Sequence, residues 1–242
     1  MIKFFRQIRR NMISENRTYR YLFYAIGEII LVVIGILIAL QVNTWNNQRI
    51  DAELAESYLK EIRSSLKNDL QNIEQVLDYN SNKHKAIDSV FSIMESNEPQ
   101  SIKNQRILPH LQYLTDYSVF VPNSVAFDNM IASSTINLIK TAKLRELLSN
   151  YYNSPELSSD FTQEQVKLQT RRFVDESITL LLNDEIVEKL SGYSINLAPS
   201  GDFFSDPLTF KNLFNMQKNI LAQNDILESS SNQIKILIQK IE

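Results

Sequence analysis

The stretch YLFYAIGEIILVVIGILIALQVNTW, residues 21–45, decides how the rest of the chain is read. Its uninterrupted apolar run, residues 29–40, is twelve residues long. That is roughly 18 Å of helix, whereas a bilayer core of about 30 Å needs around 20 residues. To span, the helix has to recruit YLFYAIG before the run or residues 41–45 after it, and the aromatic markers suggest some of both. The aromatic markers Tyr19, Tyr21, Tyr24 and Trp45 sit where the two interfaces would then fall. A basic arm followed by an apolar stretch also describes a cleaved signal peptide. Here the apolar part is long, and IALQVNTW offers no small-x-small cleavage site, so an uncleaved anchor is expected.

On this reading Glu28 lies below the headgroups. It belongs to a heptad line Tyr21, Glu28, Gly35, Val42, with Ala25, Val32 and Ala39 on the adjoining line. A lone charge at that depth costs about 2.5 to 3.5 kcal/mol on insertion scales, so Glu28 is expected to be neutral or paired. Close helix approach over Gly35 and Ala39 would let it hydrogen-bond to its symmetry mate, to Tyr24 or to a partner's polar group. The candidate transmembrane interaction face is therefore Glu28, Gly35, Ala39, Ala25 and Tyr24. The plain alternative is that Glu28 reaches the inner headgroups and has no role.

Charge sets the expected direction. The chain carries a net −3, but residues 1–20 hold Lys3, Arg6, Arg9, Arg10, Arg17 and Arg20 against Glu15 alone, which leaves roughly −8 on the remainder. Positive residues favour the cytoplasm, so the N-terminus is expected inside and residues 46–242 outside, in the periplasm. MIKFFRQIRRNMI lines up Ile2, Phe5, Ile8, Arg9 and Met12 along one helical stripe, with Lys3, Arg6 and Arg10 largely opposite. This pattern reads as a basic amphipathic helix, residues 1–20, on the anionic inner leaflet, or else as a basic tail that only sets topology. The acidic body makes nucleic acid an unsuitable partner.

The words MIKFF, SEN, YAIGEIILVVIGILIALQVNTWNN and, further on, AFDNMIASSTINLIKTAKLRELLSNYY resemble an uncharacterised family of single-pass inner-membrane proteins of Gram-negative bacteria, defined only as a domain of unknown function. The resemblance implies an inner-membrane anchor with an external helical domain. It brings no activity and no site residues.

Four glycines and six prolines in 242 residues argue against a turn-rich β fold. From Trp45 a seven-residue repeat runs Trp45, Ala52, Leu59, Leu66, Ile73, Asn80, Ile87, Met94, flanked by Ile62, Leu70, Val76, Leu77, Val90 and Phe91. One helix leaving the membrane with a single buried seam explains it. NSNKHK at 80–85 interrupts the seam, which predicts a kink or a polar layer, and SNEPQSIKNQ ends the helix. Pro109 and Pro122 mark short connecting pieces, and two short helices are expected over about 123–133 and 141–152. A third long helix falls within 156–190. The last, from about 207, carries Leu213, Ile220, Leu227, Ile234 and Ile241 at sevens, with Gln217, Asn224 and Ser231 as a polar line beside them.

The expected fold is all-α: an amphipathic arm, one transmembrane helix, and an antiparallel bundle of about four helices. By parity, loops 96–106 and 191–207 share the far tip. Tyr193, Phe203 and Phe204 in the longer loop read as exposed aromatics of a contact loop, the alternative being a loop that folds back to cap its own bundle.

The chemistry-bearing residues are few. With no cysteine, disulfides and thiol catalysis are excluded. His84 and His110 are the two histidines, and neither has a glutamate three residues before it, so the pairs of di-iron bundles are absent. His84 and Asp88 share a helix face but are too few to hold a metal. Asp184 and Glu188 read as a solvated face, and no phosphate loop or nucleophile elbow occurs. No enzyme, cofactor or metal is expected. The leading expectation is a membrane-anchored helical interaction module that binds a partner or ligand through its external bundle and self-associates through the transmembrane face. The alternative is a subunit of a membrane complex in which Glu28 works as an intramembrane, proton-coupled carboxylate. The partners implied are the lipid bilayer and either a second copy or a second membrane protein.

Overall fold

A computed structural model describes residues 18–157, 162–181 and 201–241. Every regular element among them is helical. α1 is Thr18–Glu95, a helix of 78 residues. It is followed by α2 (Gln100–Ile107), a single 3-10 turn at Leu108–His110, and α3 (Leu111–Thr115). An extended segment at 116–124 leads to α4 (Val125–Ala132), a 3-10 turn at Thr135–Leu138, and α5 (Ala142–Tyr152). α6 is Thr162–Phe173, continued by a π-helical turn at Val174–Ile178, and α7 is Pro207–Ile241. The chain divides into two units at Glu56 and Ser57. The amphipathic arm expected in residues 1–17 lies outside the described residues.

In the first unit, α1 is long and apolar enough to cross a membrane. None of its most apolar 18-residue window is buried. Leu22, Phe23, Ile29, Leu31, Val33, Ile36, Leu37 and Leu40 are all exposed, on every side of the helix. Each such side chain left in water forfeits about 1.5 to 3 kcal/mol, so a helix that is apolar all round favours an apolar surrounding, whether a bilayer or packed protein.

The second unit is built on two long antiparallel helices. Along α1 the buried seam runs Ile62, Leu66, Asp69, Ile73, Val76, Asn80, Lys83, Ile87, Val90 and Ile93, in alternating steps of four and three up to Val90, with Ala55 and Ala86 buried besides. That spacing is the seam of a coiled-coil-like packing. α7 answers with Thr209, Leu213, Met216, Ile220, Gln223, Leu227, Ser230, Ile234 and Leu237. Asn80 bonds to Gln223 and Asn224, while Asp88, two turns on, bonds to Gln217, so the two helices run in opposite directions.

The polar interruption predicted at 80–85 is a polar layer, and α1 passes through it without a break. It separates two apolar cores. One holds Ile62, Leu66 and Ile73 of α1 with Phe127, Leu148 and Tyr151 of α4 and α5 and Leu227 and Ile234 of α7. The other holds Ile87, Val90 and Ile93 with Ile107, Leu114, Phe173, Phe203, Leu213 and Ile220.

α6 takes the third bundle position, its last turn joined to Lys83 through Thr170 and its π turn to Asn212. The π turn has a local cause. Asn212 Nδ2 donates to Glu176 Oε2 and to Ser177 Oγ, both at 3.1 Å, and Ser177 is fully buried. The expected extension of this helix to 190 lies outside the described residues.

The fourth position is not a single helix. Residues 100–124 descend alongside α1 in pieces, Lys103 reaching the Met94 carbonyl, Tyr113 packing on Tyr79, and Asn123 reaching Asp69. Part of the expected 96–106 loop is thus helical.

Candidate functional site

A segment that crosses a bundle in extended form has backbone groups that no helix satisfies, and buried ones must find partners elsewhere. Three side chains from the seams supply them. Lys83 Nζ donates to the Asp116 carbonyl oxygen, Gln223 Nε2 donates to the Ser118 carbonyl oxygen at 3.2 Å, and Asp69 accepts from the Asn123 amide at 3.1 Å. The buried polar residues of α1 and α7 and the missing fourth helix are therefore one feature.

Lys83 is its most unusual member, 1% exposed on the inward face of α1. Besides the Asp116 carbonyl, its Nζ donates to Thr170 Oγ1 of α6 at 3.1 Å. Burial pushes the ammonium down to about 7, with the Asp116 carboxylate pulling in the opposite sense. Below it on α1, Asn80 Nδ2 donates to Gln223 Oε1 and Asn224 Oδ1, each at 2.8 Å. Asn80 Oδ1, Gln169 Oε1 and the Tyr79 hydroxyl are buried without a hydrogen-bond partner. Burial, and then the charge of Asp116, push the Tyr79 phenol above its ordinary range.

Two heptads earlier, Asp69 is fully buried and also accepts from the Tyr151 hydroxyl at 2.9 Å. Burial raises its carboxyl above the ordinary value, and the Asn123 amide and Tyr151 hydroxyl oppose the rise. The same burial, with Asp69 close by, pushes the Tyr151 and Tyr152 phenols up. The Tyr152 ring stacks on Phe127 at 4.8 Å.

On the outer side of the layer, His84 Nδ1 lies 3.1 Å from Asp88 Oδ2, and Gln217 Nε2 donates to Asp88 Oδ1 at 2.8 Å. Gln217 Nε2 is also 3.3 Å from His84 Nε2, which fits a ring protonated on Nδ1. The pair expected on one helix face is thus a hydrogen-bonded link between α1 and α7. Among the described residues no three His, Asp or Glu side chains are placed to hold a metal. His110 lines a shallow surface cleft with Asp88, Ser89, Ser92 and Arg106, and burial together with Arg106 lowers its imidazole.

Of the residues singled out from sequence, Tyr24, Ala25, Glu28, Gly35 and Ala39 all lie on α1, on one side of a 3.6-residue turn. A Cβ added at Gly35 would meet nothing within 4 Å, so packing within the chain does not require the glycine.

The contact loop needs correction. Phe203 is 0% and Phe204 5% exposed, so neither presents a surface to a partner. Asp202 Oδ1 accepts from the Phe204 amide at 3.1 Å, and Asp206 Oδ2 caps α7 by accepting from the Thr209 amide at 2.7 Å. These two turns aim the aromatic pair inward, where Phe203 meets Phe173 edge-on and Phe204 lies under the Lys103 ammonium. The capping alternative accounts for both residues. Tyr193 lies outside the described residues.

Asp69 and Lys83 were not legible as site residues, although the line Ile62, Asp69, Val76, Lys83, Val90 repeats at sevens beside the apolar line that was followed.

Among the described residues, fold and site together define an all-helical protein with one helix long and apolar enough to cross a membrane and a bundle whose core is divided by a polar layer. No curated protein and no solved structure matches the chain. A family model, described as a family of unknown function (DUF6090), matches residues 28–169, and the chain belongs to that family.

Proposed function

We propose that this is a single-pass membrane-anchored interaction module. Residues 21–45 form the anchor, the basic N-terminus stays in the cytoplasm of a Gram-negative cell, and the helical domain stands in the periplasm to bind a partner or ligand. Copies self-associate through the face formed by Glu28, Gly35, Ala39, Ala25 and Tyr24. The observation that carries this reading is the contrast within one chain. Residues 22–42 expose apolar side chains all round, while residues after Ser57 bury theirs against one another in two cores. An anchor and a self-contained body that needs no lipid are the parts such a module requires.

The association face is tested by cross-linking full-length chains in membranes. Gly35→Leu meets nothing in its own chain and is expected to weaken the cross-linked species through helix separation alone. Glu28→Gln keeps hydrogen bonding and should associate as wild type, whereas Glu28→Leu should not. If both Glu28 variants associate normally yet lose cellular function, the carboxyl has proton-coupled work and the alternative takes over. Wild-type association in Gly35→Leu would overturn the face.

A further inference from the structure

Lys83 joins two pieces of the domain that no other side chain joins in the same way. Its acceptors are the Asp116 carbonyl on the extended segment and the Thr170 hydroxyl on α6. Both are neutral oxygens, and among the described residues no carboxylate lies within ion-pair reach of the amine. A neutral amine has two N–H groups and an ammonium three. The site therefore matches the uncharged lysine, and protonation introduces both a buried charge and a third N–H that it does not satisfy.

The surroundings make this junction yielding. Asn80 Oδ1 and Gln169 Oε1 are already unsatisfied in the same layer, which separates the two apolar cores, and the π turn begins at Val174, four residues beyond Thr170. π turns inside helices occur frequently at functional sites.

We propose that Lys83 is a proton-operated latch: uncharged, it ties the segment 116–124 to α6, and on protonation it releases them. Of the ionisable groups packed nearby, Asp116 on the extended segment acts on Lys83 directly, and Tyr79 of α1 and Tyr113 of α3 cluster around Asp116. α6 contributes Gln169 and Thr170 and α7 contributes Gln223 and Asn224, none of which titrates. The neighbouring His84 is turned to Asp88 and Gln217 instead.

With the buried amine titrating near 7 and a released one at the ordinary 10.5, release is favoured about 30-fold more at pH 6 than at pH 8.5.

The test is amide hydrogen exchange on the full-length chain in mild detergent at pH 6.0 and 8.5, with intrinsic exchange rates divided out. Among amides that exchange through openings smaller than global unfolding, those of 116–124 and around Thr170 in the last turn of α6 should lose about 30-fold protection at the lower pH, while those of α5 change little. Lys83→Gln, which donates two N–H bonds but carries no charge, should lose that dependence. Equal protection of 116–124 at both pH values in the wild type would overturn the latch. So would an equal loss in the locally exchanging amides of α5, or a Lys83→Gln chain that keeps the wild-type ratio.

Discussion

Replacing Lys83 by methionine alters the pH dependence of global stability in a way the structure fixes beforehand. The amine titrates at 10.5 in an unfolded chain and at about 7 in its buried site. Below pH 7 both states carry the proton, and the fold bears the full cost of the buried ammonium, roughly 5 kcal/mol. Between 7 and 10.5 the unfolded state holds a proton that the folded state has lost, so wild-type stability rises by about 1.4 kcal/mol per pH unit from this group. Above 10.5 the cost is gone. Methionine carries none of it, but leaves the Asp116 carbonyl and the Thr170 hydroxyl without a donor, which costs about 1 to 3 kcal/mol each at every pH.

The stability of the variant relative to wild type should therefore decline by about 3 kcal/mol between pH 7.5 and pH 10. Urea unfolding of full-length chains in mild detergent, followed by helical circular dichroism across that range, measures it, and all other ionisable groups cancel in the difference. Two stability curves that run parallel from pH 6 to 10 would refute the reasoning, because they would show that Lys83 does not change its titration on folding.

Asp69→Ala strands the Asn123 amide and the Tyr151 hydroxyl and should cost about 2 to 5 kcal/mol, while Asp69→Asn keeps an acceptor and should cost clearly less; the same urea series ranks the two. Ser134, with φ at 58°, is the non-glycine residue in the left-handed region among the described residues, so Ser134→Gly should raise stability by about 0.5 to 1 kcal/mol in thermal unfolding. Phe203→Ala should cost about 3 to 5 kcal/mol, as for any fully buried phenylalanine, whereas an exposed contact aromatic would cost almost nothing.

The long helices were legible because their apolar spacing is regular. Leu66, Ile73 and Ile87 on α1 and Leu213, Ile220, Leu227 and Ile234 on α7 stand at sevens and are all buried. The second line of each seam was not, since Asp69, Lys83, Gln223 and Ser230 occupy it, and polar residues on a helix ordinarily face water. For Asp69, Lys83 and Gln223 the partners come from a distant event, the extended passage of 116–124, which presents carbonyl and amide groups to the core, whereas Ser230 bonds back to the Ile226 carbonyl of its own helix. Pro122 hinted that this stretch is not helical, but nothing local says which seam residues will serve it.

Phe203 and Phe204 were misplaced for a related reason. A loop containing glycine and proline reads as exposed, yet DFFSDP carries two aspartates that cap its turns and fold the aromatics under them. The π turn after Phe173 depends on Asn212 from another helix and has no signature in its own residues.

On the function proposed above, one stretch of this chain lies in lipid and the rest folds in water. The chain has no cysteine, so single cysteines can report on it without background. Full-length chains with Ile34→Cys or Ser229→Cys, both at exposed positions, are treated in native membranes with a water-soluble maleimide. Vesicles opened to give access from both sides make the comparison independent of orientation. The account predicts rapid labelling at 229 and none at 34 until the membrane is dissolved and the chain denatured. Equal labelling of the two positions in intact bilayers would contradict it.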